Sequence, residues 1–209
     1  GFNNKGLDKV VKNLDKKRDI IIGANIGKNF FTKNEDAYKD YLKCLNGLNK
    51  YVDYFAINIS SPNTKGLRDF HDKSLLGPFL KKLINANNKM TKPKPMLLKI
   101  SPDLDNTQLD DIVQLVMDLN IDGVIATNTN TSRDWLMSKY KDETGGLSGM
   151  LLKEKSNLII SYLRKKLGNN IPIIGVGGIM SPQDAIEKFE SGADLVQLYT
   201  GFIYEGPGL

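Results

Sequence analysis

Residues 171–179, Ile-Pro-Ile-Ile-Gly-Val-Gly-Gly-Ile, decide the fold. A short β-branched run ends in closely spaced glycines. The Ser181-Pro182 pair that follows supplies a helix N-cap and a proline suited to the first helical position. A buried strand, a glycine turn and a helix in immediate succession are typical of a βα unit in a parallel sheet. The stretch therefore predicts an α/β protein.

The same unit recurs along the rest of the chain. Short aliphatic runs bounded by Gly, Pro, Asn or Asp predict six strands, at residues 19–24, 54–59, 96–100, 123–127, 171–176 and 195–199. Helical patterns occupy residues 35–46, 75–88, 109–119, 153–167 and 182–191. This alternation indicates successive βαβ units. No linker or low-complexity segment divides the chain, so we predict one domain over residues 1–209.

Two architectures fit this alternation, an open doubly wound sheet and a closed (β/α)₈ TIM barrel. An open sheet concentrates its ligand groups at one or two crevices, whereas a barrel carries them at most strand ends. Polar residues or glycines follow almost every predicted strand: Asn25, Asn58 to Asn63, Lys99 and Ser101, Thr127 to Thr131, Gly177 and Gly178, and Thr200 and Gly201. This favours the barrel. An eight-unit barrel usually needs roughly 250 residues, so 209 residues fall short of one.

Composition excludes several classes of function. The chain is 40% hydrophobic and 25% charged, as in ordinary globular domains. Its net charge of +5 could indicate nucleic-acid binding, but the basic residues are dispersed among acidic ones, and we predict no nucleic-acid partner. The single cysteine, Cys44, lies in a helical pattern and is expected in the core. No stretch approaches the roughly 18 apolar residues of a membrane span, so we expect this stretch of chain to be soluble.

Glycine-containing loops follow the last two predicted strands, at residues 175–179 and 199–202. Paired loops at this place in a barrel form a phosphate site, because backbone N–H groups and a helix N-terminus can approach the anion. The alternative is that the glycines only make tight βα turns. The pairing favours a phosphate site. The glycine-rich loop at 144–149 adds weaker support.

Lys99 lies in an otherwise apolar strand, where an ammonium is costly unless it meets an anion. That anion is either a structural carboxylate or an anionic cofactor, and we favour the cofactor. Asn58 and Asn128 place amides at strand ends, which suits a heterocycle or an anion better than a metal. No Cys, His, Asp and Glu cluster has ligand spacing, so we predict no metal. His71, the only histidine, is expected to be exposed rather than catalytic.

Six motifs resemble, in order and spacing, the class 2 dihydroorotate dehydrogenases over nearly the whole chain. They are NISSPNTKGLR from Asn58, LLKISPDL from Leu97, TNT from Thr127, ETGGLSG from Glu143, PIIGVGGI from Pro172 and VQLYTG from Val196. The resemblance implies oxidation of dihydroorotate to orotate on FMN, in pyrimidine biosynthesis, with a quinone as final electron acceptor. The class depends on Ser61, because class 1 enzymes have a cysteine there.

The resemblance also assigns site residues. Ser61 would remove a proton from C5 of dihydroorotate while a hydride passes from C6 to flavin N5. Because an unperturbed hydroxyl is a poor base, the site must supply a proton acceptor or a water chain. The substrate contacts would be Gly1, Phe2, Asn58, Asn63, Asn128 and Thr129. The FMN contacts would be Asn25, Asn58, Lys99, Thr127, Gly149, Gly178, Tyr199 and Thr200. Lys99 would offset charge near flavin N1, and residues 64–73 would form a lid with Gly66 as a candidate hinge.

The chain departs from the family at its ends. Family members begin with a membrane-docking segment that forms the quinone entrance, followed by the first barrel strands, and they end in a final helix. We expect these N-terminal strands and the final helix to be missing from this chain. If the polypeptide were complete, we would expect an open barrel with poor FMN retention and no turnover. Membrane association is expected only of the full-length protein, and the mitochondrial inner membrane only for a eukaryotic source.

Two alternatives stay open at this point. One is another FMN barrel, such as a dihydropyrimidine or dihydrouridine reductase. The other is a non-catalytic barrel that binds a phosphate ligand.

Overall fold

A computed structural model describes residues 4–16, 19–64, 66–133 and 136–209. The strands are β1 Gly23–Ile26, β2 Tyr54–Asn58, β3 Met96–Ile100, β4 Gly123–Ala126, β5 Ile173–Val176 and β6 Leu195–Gln197. The α-helices are α1 Leu7–Leu14, α2 Ala37–Leu48, α3 Lys73–Asn88, α4 Asn106–Asp118, α5 Lys153–Leu167, α6 Pro182–Glu190 and α7 Thr200–Glu205. Short 3-10 helices occupy Asn34–Asp36, Leu67–His71, Met150–Leu152 and Gly206–Gly208.

The six strands form one parallel sheet in the order β1 to β6. Each strand pairs with the one before it and the one after it in sequence, as in the pair Asn58 and Lys99 of β2 and β3. A doubly wound sheet reverses its strand order at a switch point, and this sheet has no reversal. The predicted α/β class and barrel-type topology are therefore confirmed, as a curled half-barrel of six parallel strands.

The sheet is apolar on both faces, as expected for buried parallel strands. One face packs against the helices, with Phe55, Leu98 and Val124 in a large core. The opposite face carries a small apolar layer formed by Ala56, Leu97, Ile125 and Ile174. The two sets alternate along each strand because successive side chains point to opposite faces. The small layer therefore lines the inside of the curl.

The helix starts follow the sequence signals. Ser181 caps α6 by accepting a hydrogen bond from Asp184 N, and Pro182 is its first residue, as predicted. Asp105 and Gln108 form a reciprocal capping box at the start of α4. These contacts satisfy backbone groups that a helix end would otherwise leave unpaired.

The first strand was predicted too early, at residues 19–24. It spans Gly23–Ile26 instead, and Ile20 and Ile21 are exposed, the latter by 81%. Pairing starts at Gly23 opposite Tyr54, because Ile22 N donates to Asp53 Oδ2 rather than to a strand carbonyl. The list of predicted helices also lacked α1, which packs on α2 where Leu7 lies over Gly47.

Candidate active site

The alternation along the strands carries polar residues to the carboxyl edge of the inner layer. Asn58 lies two residues beyond Ala56, Lys99 two beyond Leu97, and Thr127 two beyond Ile125. A spacing of two residues keeps a side chain on the same face of a sheet. Three neighbouring strands therefore present their polar residues on the inside of the curl.

These residues line a cavity of about 570 Å³, a size that suits a cofactor or small-molecule ligand. Every predicted site residue in the described part of the chain borders it: Asn25, Asn58, Ser61, Asn63, Lys99, Thr127, Asn128, Thr129, Gly149, Gly178, Tyr199 and Thr200. The predicted substrate contacts Gly1 and Phe2 lie outside the described residues. Gly27 and Lys28 also line the cavity and were not predicted. Gly177 and Ser148 line it as well; they lie in the loops predicted to approach a ligand but were not assigned as contacts.

A fully buried hydroxyl, Ser60 Oγ, connects three of the strands. It lies 2.9 Å from Lys99 O and 3.1 Å from Asn58 Oδ1, and it accepts a hydrogen bond from Asn128 Nδ2 at 3.0 Å. Asn128 Nδ2 also lies 3.3 Å from Asn58 Oδ1, and Asn128 Oδ1 accepts from Thr129 N at 2.8 Å. These contacts direct Asn58 Nδ2 toward donating to a ligand and leave Asn128 Oδ1 able to accept.

Ser61 lies half-buried on the cavity wall. Its Oγ accepts a hydrogen bond from Asn63 N at 3.3 Å, which closes a local turn of the loop. Within the described residues, no histidine or carboxylate forms a hydrogen bond with this hydroxyl. A proton taken up by Ser61 would thus have to leave through water or through a ligand. Its role as a base stays a prediction.

Lys99 lies in β3 and lines the cavity. Burial lowers the pKa of Lys99 below its ordinary value, as expected for a cation in an apolar strand. No acidic side chain in the described part of the chain forms an ion pair with it. This leaves the cavity with an uncompensated donor of positive charge, so an anionic ligand group would fit there.

The glycine loops after β5 and β6 each pack against a neighbouring segment of the chain. Gly178 has φ +79°, and a Cβ on it would lie 2.5 Å from Lys153 Cβ. Glycine is thus required for the loop to pack on the start of α5. This supports the alternative in which the glycines make a tight βα turn. That requirement is compatible with anion binding, because both loops also border the cavity. Thr200 Oγ1 donates to Ser148 Oγ at 3.0 Å and so ties the second loop to residues 144–149.

One expectation about the segment after Ser61 was wrong, and another stays a prediction. Leu67 and Phe70 are buried in the core, so in this conformation the segment is packed down, and a lid over residues 64–73 stays a prediction. Gly66 does have the left-handed φ of a candidate hinge, +70°, but Asn34 Nδ2 holds its carbonyl at 2.7 Å. His71 is half-buried rather than exposed. Burial and the nearby Arg68 charge lower its pKa to about 4.

The chain has the fold of a barrel-type α/β protein, with a polar cavity at the carboxyl edge of its strands. The sequence model of the family described as dihydroorotate dehydrogenase matches residues 1–209. This chain belongs to the dihydroorotate dehydrogenase family.

Curated relatives carry the name dihydroorotate dehydrogenase (quinone). The chain is 52% identical to the protein of Christiangramia forsetii, with all of the chain and 62% of the relative covered. It is 48% identical to that of Idiomarina loihiensis, with 64% of the relative covered. The chain thus spans less than two thirds of these relatives' length. Both are bacterial, so they give no support to the mitochondrial location.

Solved structures of dihydroorotate dehydrogenase from Eimeria tenella have the same fold. The complex with ferulenol superposes with a TM-score of 0.90 at 34% identity, covering 99% of this chain and 62% of that one. The ligand-free form also gives a TM-score of 0.90, at 35% identity. Among the helices described here, none is long and apolar enough to cross a membrane.

Proposed function

We propose that the protein containing this chain oxidises dihydroorotate to orotate on FMN and passes the electrons to a quinone, in pyrimidine biosynthesis. The observation that carries the proposal is the meeting of Asn58, Ser61, Lys99 and Asn128 in one cavity. Membership of the family and the names of the curated relatives support the same reaction. They weigh against the other FMN reductases and against a non-catalytic barrel.

FMN fits the groups that line this cavity. The unpaired Lys99 ammonium supplies positive charge, and the loops at Gly178 and Thr200 place backbone N–H groups and a hydroxyl within the same space. Gly149 and Tyr199 complete the predicted contacts at this end. When bound, FMN would supply the hydride acceptor that the protein's own side chains lack.

The paired amides have the polarity that a dihydropyrimidine requires. Asn58 Nδ2 can donate to a ring carbonyl, and Asn128 Oδ1 can accept from a ring N–H. Ser60 fixes both orientations through its buried hydroxyl. A ring held by such complementary contacts keeps one face toward the reacting groups, which lowers the entropic part of the barrier.

Ser61 would then take the proton from C5 of the bound ring. Its hydroxyl needs an onward acceptor, and the cavity leaves space for water beside Asn63 and Thr64. Pro62, Thr129 and Gly146 also line the cavity, and they pack closely together. A Cβ on Gly146 would lie 1.8 Å from Thr129 Oγ1 and 3.1 Å from Pro62 Cγ.

The proposal is tested on the full-length natural protein. We expect dihydroorotate to bleach the flavin absorbance and a quinone to restore it. Ser61→Ala should abolish bleaching and spare FMN binding, whereas Ser161→Ala, a change on the remote face of α5, should alter neither. A purified flavoprotein that dihydroorotate does not bleach would rule the reaction out. The quinone and any membrane association are proposals for the same full-length protein.

A further inference from the structure

A charged cluster behind the cavity wall joins four separate elements of the fold. Asp103, in the loop after β3, accepts hydrogen bonds from Arg68 Nη1 at 2.7 Å and from Lys155 Nζ at 3.1 Å. It also accepts from Thr131 N at 3.0 Å and from Thr131 Oγ1 at 2.8 Å. Arg68 lies in the 3-10 helix after β2, Thr131 lies beyond β4, and Lys155 lies in α5.

The carboxylate of Asp103 remains ionised in this cluster. Burial alone would raise the pKa of Asp103, but hydrogen bonds from Thr131, Arg68 and Lys155 outweigh that effect, and the pKa lies below its ordinary value. The side chains of Arg68 and Asp103 are 24% and 17% exposed. Solvent therefore screens this pair less than an ion pair on the open surface.

A chain of hydrogen bonds runs from this pair into the cavity. Arg68 Nη2 donates to Thr129 O at 3.4 Å, and Thr129 N donates to Asn128 Oδ1 at 2.8 Å. Asn128 in turn donates to Ser60. Arg68 and Asp103 do not border the cavity themselves, so their hydrogen bonds reach a ligand through the residues that do.

Arg68 does not use all of its hydrogen-bond donors in this position. Arg68 Nε is buried without a hydrogen-bond partner among the described residues, and so is His71 Nε2. A buried donor without a partner carries a desolvation cost that calls for an explanation. Here the guanidinium directs both Nη atoms at the loop after β4, toward Thr129 O and Thr131 Oγ1, and leaves Nε unpaired.

We propose that the Arg68–Asp103 pair is a positioning device for the substrate loop, residues 128–131. It holds the backbone of Thr129 where Asn128 presents its Oδ1 to the pyrimidine, and it contacts neither substrate nor cofactor. The inference rests on the proposed function, because it takes the ligand of Asn128 to be dihydroorotate or orotate. Without the pair, residues 128–131 lose their fixed orientation.

The test compares two arginine–aspartate pairs in the full-length, FMN-loaded protein. Arg68→Met removes the positioning pair. Arg164→Met removes the Arg164–Asp194 pair, which joins α5 to the residue before β6 and lies away from the cavity. Its arginine is about as buried as Arg68, at 17% exposure, and its aspartate is more exposed than Asp103, at 47%. The dissociation constant of orotate is measured from its effect on the flavin spectrum, together with FMN content and the kinetics of flavin reduction.

We expect Arg68→Met to weaken orotate binding about 10-fold, the usual order for a lost hydrogen bond to a charged group. KM for dihydroorotate should rise with it, while reduction at saturating substrate and FMN content change less than about threefold. Arg164→Met should lower the thermal midpoint and leave orotate binding unchanged. Arg68→Lys, which keeps the charge but not the two-pronged contact, should fall between wild type and Arg68→Met.

Two results would overturn the inference. One is wild-type orotate affinity in a folded Arg68→Met or Arg68→Lys protein. The other is an equal loss of affinity in Arg164→Met, which would show a general effect of destabilisation. Failure of the proposed function looks different, because the wild-type protein itself would then neither bind orotate nor be bleached by dihydroorotate.

Discussion

Asn128 Nδ2 donates to Ser60 Oγ across 3.0 Å, although 68 residues separate them in sequence. The same hydroxyl lies within hydrogen-bond distance of Asn58 Oδ1 and of Lys99 O. One buried side chain thus sets the orientation of two amides and touches the strand that carries the cavity lysine. Ser60 therefore supports the site from behind the residues that face the cavity.

Replacing Ser60 with alanine should disturb substrate binding more than flavin binding. The change removes the hydroxyl contacts to Asn58 Oδ1, Lys99 O and Asn128 Nδ2 and leaves the two amides joined only by their longer contact of 3.3 Å, which costs about 1–3 kcal/mol. We expect KM for dihydroorotate to rise about 10-fold and FMN content to stay near wild type. Steady-state kinetics and flavin absorbance measure both quantities. Ser161→Ala is the control, because its hydroxyl bonds to Ser191 O in an exposed position; an unchanged KM in Ser60→Ala would contradict the prediction.

Replacing Lys99 with methionine should have opposite effects on stability and on cofactor binding. The apoprotein should become more stable, by about 1 kcal/mol, because a buried ammonium without an anion is removed. FMN should bind about 10-fold more weakly for lack of that same charge. Denaturant unfolding of the apoprotein and FMN titration give the two values. The exposed Lys81→Met in α3 should change neither, and a Lys99→Met protein with unaltered FMN affinity would refute the assignment.

Gly178→Ala and Gly168→Ala separate backbone strain from loop packing. Both glycines have positive φ, +79° and +66°, so each substitution should cost about 1–3 kcal/mol in strain. A Cβ on Gly168 meets nothing within 4 Å, whereas one on Gly178 meets the backbone of Lys153 at 2.6 Å. We expect the unfolding free energy of Gly178→Ala to fall by a further 1–3 kcal/mol or so, and its FMN content to fall as well. Equal unfolding free energies for the two variants would show that the close contact has no effect.

His71 should make the protein sensitive to mild acid. Its folded pKa is about 4, and the ordinary value is 6.5. As the pH falls from 6.5 toward 4, the unfolded chain binds a proton that the folded chain does not, so the free energy of unfolding falls. His71→Gln removes this dependence. Between pH 7.5 and pH 5, the free energy of unfolding of the wild type should fall relative to that of His71→Gln. After allowance for solvent screening, we expect this relative fall to be about 1 kcal/mol. Denaturant unfolding at both pH values checks this, and parallel pH profiles would contradict it.

The strands and the inner face of the site could be predicted because they depend on local patterns. Residues 96–100 were predicted as a strand with the bounds that the structure has, since a proline precedes the apolar run and a polar residue follows it. Asn58, Lys99 and Thr127 share a face through the period of two. The first strand failed because its apolar run begins outside the sheet, where Asp53 holds Ile22 N.

The contacts between loops could not be read from the sequence. Arg68 and Asp103 are 35 residues apart, and nothing local to either indicates the other. Ser60 lies between the predicted site residues Asn58 and Ser61 in sequence, yet its burial depends on the register of β2 against β3. Local pattern fixes which residues reach the carboxyl edge. Register and loop packing decide which of them touch.

The sequential strand order has a consequence for synthesis on the ribosome. Each strand from β2 to β6 pairs with the strand made just before it, so this sheet can grow as the chain emerges. The cavity is different, because it draws on β1 at Asn25 and on the end of β6 at Tyr199. A nascent chain could therefore hold a sizeable core well before it could hold a ligand.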